Sequence, residues 1–301
     1  MPDPLFILAP PRSFTSVVCA MLGQHPAMCG LPEVNLCVTE RMDAWLRLCL
    51  HSGSFLSHGL LRAVAQVIFG AQTEETVARA RWWTEFRRAS TTGDVFRELS
   101  DAAGPRALVD KSPATVLHPE FLRRAGSAFP GARFLHLLRH PRSTCASIDG
   151  APEILTAVSV FSKAVDLGAC SSLVDPEPLW LETHRNVVAF LESVPARRKL
   201  RVRGEDVLTD PDRCLPELAG WLGLETTSES LDAMKHPERS PFAGFGPPGA
   251  RFGNDPKFLQ HPAPRAGTIR PQALEGPVGW RLDGTGLSDD TKRLAASFGY
   301  A

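Results

Sequence analysis

The chain has 301 residues, of which 43% are hydrophobic and 22% are charged, and this composition excludes disorder over most of its length. Its 33 basic side chains are balanced by 33 acidic ones, which argues against a non-specific binder of nucleic acid or of anionic membranes. The sequence contains no run of about 18 apolar residues, so we expect no membrane-spanning helix. The N-terminus lacks a basic segment, so we expect no signal peptide. The seven cysteines are scattered without CxxC spacing, so we expect no disulfide framework, no metal site and a cytoplasmic protein.

The chain opens with a predicted strand, loop and helix. Residues 5–9 form a short apolar run between prolines, which is typical of a buried parallel strand. The helix that follows has Ser13 or Thr15 near its N-cap, and Gly23 is its expected C-cap. A second strand is expected at 27–30.

The rest of the chain alternates between helical and extended patterns. Residues 40–105 have apolar side chains at helical spacing, and we interpret them as a helical substrate region. Further strands are expected at 107–110, 133–138 and 199–203, and further helices at 119–127, 178–193, 212–222 and from Ser288 onward. This alternation predicts an α/β fold with a mostly parallel sheet flanked by helices, in a single domain over 1–301.

The segment 236–286 is predicted to be a lid loop. Between 241 and 280, fifteen of 40 residues are Gly or Pro, so regular structure is not expected over most of that stretch. A long irregular segment in a compact domain is usually a functional loop or a linker. Because a helix is expected after it, we interpret this segment as a lid rather than a frayed terminus.

The loop after the first strand is a candidate anion site. Backbone N–H groups at a helix N-terminus converge on one point, and the helix dipole makes that point positive. Arg12 adds a fixed cation, and the hydroxyls of Ser13, Thr15 and Ser16 add donors. The sequence GxxxxGK[ST] is absent, so the usual equipment for Mg²⁺-dependent NTP hydrolysis is lacking.

A second motif begins where the strand at 133–138 ends. Arg139 follows the strand, Pro141 predicts a turn, and a helix begins near Ser143. Arg139 is therefore expected at the carboxyl edge of the sheet, where α/β folds bind ligands. Arginine with a following serine suits a phosphate group.

These two motifs resemble those of sulfotransferases that use 3′-phosphoadenosine 5′-phosphosulfate (PAPS). The loop at 11–16 is similar to the PxSGTT-like loop that holds the 5′-phosphosulfate, with Phe14 where many members have Gly. Arg139, Pro141 and Ser147 match the spacing of the R-x-P-x-x-x-x-x-S element that holds the 3′-phosphate. The family usually has Tyr-Glu-Asp-Leu where this chain has Gly204 followed by Glu, Asp and Val.

The resemblance implies roles for individual residues. Glu33 lies in a stretch similar to one where several branches place a catalytic Glu, and Lys111 lies in a D/E-K-[ST]-P element whose Lys faces the active site. His261 in the lid is the second candidate base, since imidazole suits proton transfer near neutral pH. The implied donor-binding residues are Arg12, Ser13, Phe14, Thr15, Ser16, Arg139, Ser147 and, from the lid, Lys257.

Residues 5–16 and 30–36 are also similar to sulfotransferase domains of polyketide synthases, which sulfate the β-hydroxyl of an acyl chain on a carrier protein. The resemblance therefore implies PAPS as co-substrate, no metal, and a hydroxylated small molecule or a carrier-bound β-hydroxyacyl chain as acceptor. Arg12, the loop N–H groups and Lys111 are expected to stabilise the leaving charge, because sulfuryl transfer depends on positioning and electrostatics. Two alternatives stay open: a P-loop-type nucleotide kinase or NTPase, and a nucleotide-binding module without catalysis.

Overall fold

The fold is built on a five-stranded parallel sheet, as seen in a computed structural model that describes residues 2–51, 54–151, 175–263, 269 and 272–301. The strands are β1 (Leu5–Leu8), β2 (Met28–Gly30), β3 (Ala107–Asp110), β4 (Arg133–Leu138) and β5 (Lys199–Arg203). Their spatial order is β2-β3-β1-β4-β5. The order reverses between β1 and β4, which is the point where open α/β sheets bind ligands.

Helices cover the sheet and alternate with its strands. They are α1 (Thr15–Gly23), α2 (Met42–His51), α3 (His58–Val67), α4 (Glu74–Glu85), α5 (Thr92–Ala102), α6 (Pro119–Ala128), α7 (Pro141–Asp149), α8 (Glu177–Glu192), α9 (Gly204–Thr209), α10 (Pro211–Leu222), α11 (Ser228–Met234), α12 (Pro256–Gln260) and α13 (Asp289–Ser297). The α/β class with a mostly parallel sheet flanked by helices is confirmed.

The sheet is buried on both faces, which explains the unbroken apolar runs of its central strands. In β1, Phe6 and Leu8 point into one core cluster, whereas Leu5 and Ile7 point into the other. Apolar side chains of α2, α3 and α5 belong to the same cluster as Phe6, so the region over 40–105 packs on the sheet. Its expected contribution to substrate binding stays a prediction.

The predicted lid has short ordered elements within it. Two single-turn 3₁₀ helices, Pro237–Arg239 and Pro248–Ala250, precede the helix α12. Residues 264–268, 270 and 271 of this segment lie outside the described residues. Along the part of the chain that is described, no helix is long and apolar enough to cross a membrane.

Candidate active site

Four neighbouring strands deliver the candidate residues to one edge of the sheet. The loop at 11–14 follows β1, Glu33 lies three residues after β2, Lys111 directly follows β3, and Arg139 directly follows β4. All pairings in the sheet are parallel, so these strand ends lie side by side. The topology thus brings together residues that are more than 100 positions apart in the sequence.

The loop after β1 has an unusual backbone. Arg12 and Phe14 both have positive φ, 66° and 61°, in the left-handed region that costs a residue with a side chain about 1–2 kcal/mol. Ser13 and Thr15 do flank the N-cap of α1, which is Phe14, but no side chain makes a capping hydrogen bond there. Ser13 Oγ is instead buried without a hydrogen-bond partner in the described structure.

The expected C-cap of this helix is also displaced. Gly23 is the last residue of α1, and Gln24 is its C-cap with a right-handed backbone conformation. The helix therefore ends without the left-handed glycine that sequence reasoning assigned to it.

Lys111 and Glu33 form an ion pair inside the site. The Lys111 ammonium donates to Glu33 Oε1 at 2.7 Å and to Ser16 Oγ at 2.9 Å. The Lys111 side chain is fully buried, whereas that of Glu33 is 28% exposed. Through these two contacts Lys111, at the end of β3, links the helix α1 to the loop after β2, and of the ion pair only the carboxylate is open to solvent.

The loop that carries Glu33 is held by a polar network. Asn35 N–H donates to Ser112 Oγ at 2.9 Å, and Ser112 Oγ donates to Asp110 Oδ1 at 2.7 Å. Asn35 Nδ2 also donates to the Glu33 carbonyl at 3.2 Å. Burial raises the pKa of Asp110 to about 6, against the effect of the Ser112 hydrogen bonds. This network ties the loop after β2 to the end of β3.

A glycine also fixes the Glu33 backbone from the opposite side. A Cβ placed on Gly59, in the first turn of α3, would lie 1.9 Å from the Glu33 carbonyl oxygen. Only a residue without a side chain allows this approach.

Arg12 is buried, and its guanidinium has two partners. Its Nε donates to Ser147 Oγ at 2.9 Å, and Nη1 forms an ion pair with Asp255. The two motifs recognised in the sequence are therefore in direct contact. Asp255 comes from the predicted lid and had no assigned role.

Arg139 lies beside this pair. It donates to the carbonyl oxygen of Arg12, and its guanidinium carbon lies 4.3 Å from the centroid of the Phe14 ring. Burial lowers the pKa of Arg139 to about 10, which leaves it cationic at neutral pH. Its Nε is buried without a hydrogen-bond partner among the described residues, so this cation has an unused donor.

The lid residues divide into two groups. Near the site, the Gly253 carbonyl accepts from Glu33 N–H at 2.7 Å, and Asp255 N–H donates to Ser16 Oγ at 3.3 Å. The side chains of His261 and Lys257 are exposed. Within the described ranges no hydrogen bond or ion pair joins them to Arg12, Lys111 or Glu33, so this part of the prediction gains no support.

Several of these contacts have no local signal in the sequence. The Asp-Pro step at 255–256 signals a helix N-cap, and Asp255 does cap α12. No local signal connects that carboxylate to Arg12. Similarly, Tyr300 near the C-terminus donates to Glu205, which also accepts from the N–H of His140 at 2.8 Å. These pairings depend on tertiary structure alone.

The site brings three cations to the carboxyl edge of a parallel sheet, next to a carboxylate with solvent access, and two of its donors have no partner among the described residues. Such an arrangement suits a polyanionic ligand and proton transfer beside it. No group of three or more His, Cys, Asp or Glu side chains in the described ranges is arranged to hold a metal ion. The fold is therefore an α/β fold with buried cationic side chains at the carboxyl edge of its parallel sheet, which is where enzymes of this class bind their ligands.

The family is established by comparison with known proteins. The sulfotransferase family matches residues 4–228, and the chain belongs to that family. Nodulation protein NoeE of Sinorhizobium fredii (strain NBRC 101917 / NGR234) is 29% identical over 256 residues, which cover 80% of this chain and 55% of that protein. The chain thus spans about half the length of this relative.

Two solved structures share the fold over the whole chain. The sulfotransferase domain from the curacin biosynthetic pathway has a TM-score of 0.78 and 22% identity, covering 100% of this chain and 99% of that one. The sulfotransferase domain from the Synechococcus PCC 7002 olefin synthase has a TM-score of 0.72 and 25% identity, covering 100% and 97%. The family and fold expected from the sequence are therefore confirmed.

Proposed function

We propose that this chain transfers the sulfuryl group of PAPS to an alcohol hydroxyl. The observation that carries the proposal is the convergence of Arg12, Lys111 and Arg139 on the carboxyl edge of the sheet, where two donors are unpaired. Ser13 Oγ and Arg139 Nε are buried and unpaired in the described structure. Because unsatisfied buried donors are costly, their presence fits a polyanionic ligand.

The proposed reaction is an in-line displacement at sulfur. The acceptor oxygen forms a bond to sulfur while the bond from sulfur to the 5′-phosphate oxygen breaks. The electron pair of that bond stays on the departing adenosine 3′,5′-bisphosphate, and the acceptor proton goes to Glu33. The products are a sulfate ester and the bisphosphate.

Charge stabilisation falls to Lys111, Arg12 and the N–H groups of the loop. Lys111 suits this role because its ammonium bridges Glu33 and Ser16, so it lies between the proposed base and the anion-binding helix. Removing one such donor typically costs on the order of 10²–10³ in rate.

The acceptor class is proposed from the relatives. The curacin and olefin synthase domains support a β-hydroxyacyl chain on a carrier protein as acceptor, within polyketide biosynthesis. A free hydroxylated small molecule is the other acceptor to test.

Ligand-induced stabilisation tests the donor. Strong stabilisation by adenosine 3′,5′-bisphosphate, with little effect from ATP or 5′-AMP, is expected. An equal response to all three nucleotides, or turnover that requires Mg²⁺ and ATP, would instead favour a kinase or NTPase.

Transfer of labelled sulfate from PAPS tests the acceptor. The panel contains β-hydroxyacyl carrier protein, the corresponding free alcohol and a phenol. Labelling of the carrier-bound chain alone supports the polyketide assignment, whereas labelling of the free alcohol at an equal rate contradicts a requirement for the carrier. Failure to label any acceptor, with hydrolysis of PAPS absent as well, contradicts the proposed activity.

A further inference from the structure

Two positions where this chain departs from the usual family pattern lie against each other. Phe14 stands in the loop after β1, and Gly204 opens the helix α9 after β5. A Cβ on Gly204 would lie 2.7 Å from Cδ2 of Phe14 and 3.2 Å from the carbonyl oxygen of Leu138. The aromatic ring therefore occupies the space that a side chain at position 204 would need.

The same ring contacts the cation at the end of β4. The guanidinium carbon of Arg139 lies 4.3 Å from the ring centroid of Phe14, which is a cation–π geometry. The guanidinium also donates to the carbonyl oxygen of Arg12. One loop thus restrains Arg139 through both the face of its guanidinium and one of its nitrogens.

These restraints leave a defined part of Arg139 free. Its Nε is buried and has no partner among the described residues. The Arg139 carbonyl accepts from Trp180 Nε1 at 3.1 Å, so its backbone is fixed as well. A cation held at its backbone, its face and one nitrogen, with a free donor remaining, is preorganised for an anion.

The strained backbone of Phe14 also indicates that its side chain has a specific role. Its φ of 61° is costly for a residue with a side chain, and glycine would remove that cost. Strained residues of this kind persist where the surrounding structure gains from them. Here the gain is the ring between Gly204 and Arg139.

We propose that Phe14 and Gly204 are a pair of positioning residues that hold Arg139 in place for the 3′-phosphate of the donor nucleotide. This inference rests on the proposed function, because it assumes that Arg139 binds that phosphate. Gly204 supplies the space, Phe14 fills it, and the ring orients the guanidinium.

The test compares two nucleotides that differ only in the 3′-phosphate. Binding of adenosine 3′,5′-bisphosphate and of 5′-AMP is measured by calorimetry on the full chain and on three variants. Phe14→Leu keeps an apolar side chain on the same backbone but removes the ring. Phe14→Tyr keeps the ring, and Gly204→Ala displaces it.

We expect Phe14→Leu and Gly204→Ala to weaken bisphosphate binding by about threefold to thirtyfold, the range that a cation–π contact corresponds to. Because Phe14 also lies in the loop assigned to the 5′-phosphosulfate, 5′-AMP binding in the same variant is the reference, and it should weaken by a clearly smaller factor than bisphosphate binding. Phe14→Tyr keeps the ring, so it should keep more of the preference for the bisphosphate than Phe14→Leu does. A purely structural role would weaken both nucleotides together, and that result would overturn the proposal. Unchanged bisphosphate binding in Phe14→Leu would overturn it as well, even if Gly204→Ala does not fold.

Arg139→Ala separates this inference from the proposed function. If Arg139→Ala abolishes the preference for the bisphosphate while Phe14→Leu does not change it, only the positioning pair is wrong. If Arg139→Ala also leaves the preference intact, the assignment of Arg139 to the 3′-phosphate fails, and the positioning pair fails with it.

Discussion

The buried ion pair between Lys111 and Glu33 predicts an asymmetry in stability. The Lys111 side chain is fully buried, while that of Glu33 is 28% exposed. Removing one partner of a buried pair is costly because it leaves the other charge without compensation. Glu33→Ala would leave an ammonium in the interior with Ser16 Oγ as its remaining acceptor. Lys111→Met would leave a carboxylate that already reaches solvent.

The magnitudes follow from these exposures. Glu33→Ala should cost about 3 kcal/mol of unfolding free energy, at the lower end for a broken buried pair because water can enter beside the missing carboxylate. Lys111→Met should cost roughly 1 kcal/mol, since an apolar chain of similar length fills the space. At about 2 °C per kcal/mol for a chain of this size, Tm should fall by roughly 6 °C and 2 °C, respectively.

A double variant that lacks both charges tests whether the buried ammonium causes the loss of stability. Because Lys111→Met removes the stranded charge, Glu33→Ala combined with Lys111→Met should melt at a higher temperature than Glu33→Ala alone. Glu217→Ala is the matched control, since Glu217 pairs with Arg213 at 3.4 Å while its side chain is 65% exposed, and its Tm should not change measurably. Thermal melts of the four variants at neutral pH provide the measurement. A double variant no more stable than Glu33→Ala would refute the account of a stranded buried charge.

Three further predictions concern the lid, the loop that carries Glu33 and a buried histidine. Asp255→Asn should strengthen binding of adenosine 3′,5′-bisphosphate by roughly two- to fivefold, because it removes a carboxylate that competes with the nucleotide for Arg12. Calorimetry that shows weaker binding would contradict this. Gly59→Ala should lower kcat by about 10² because the added Cβ displaces Glu33, and it should leave bisphosphate binding unchanged. The control is Gly244→Ala, where an added Cβ meets nothing within 4 Å, and this variant should keep full activity. Equal kcat values in the two variants would argue against a role for the close approach of Gly59 to Glu33. Burial lowers the pKa of His184 to about 3, so the neutral imidazole contributes its full stability above about pH 6.5. That stability is lost as pH falls toward 3, by up to about 1.4 kcal/mol per pH unit. His184→Gln should therefore flatten a plot of Tm against pH between 7 and 5, and an unchanged slope would contradict this prediction.

The sequence by itself determined the sheet. Each of the five strands was predicted to within a residue. For β1, β3 and β4 the reason is that a strand buried on both faces is a short apolar run bounded by prolines, glycines or charges. The edge strand β5 instead alternates charged and apolar side chains and is only half-buried. Phe6 illustrates the reason. Burial of such apolar side chains is the dominant favourable contribution to folding, and the pattern of apolar residues that it requires can be recognised within a few consecutive residues. The two cationic motifs were also local, since a loop before a helix and an arginine after a strand are contiguous in sequence.

Only the tertiary structure decided which side chains pair with one another in the site. The pairing of Arg12 with Asp255 joins residues from opposite ends of the chain, and the contact between Phe14 and Gly204 joins two separate turns. Hydrogen bonds and ion pairs of this kind act over a few ångströms and leave no periodic signature along the chain. Local pattern therefore gave the places where chemistry is possible, and the packing of parallel strand ends selected the side chains that meet there.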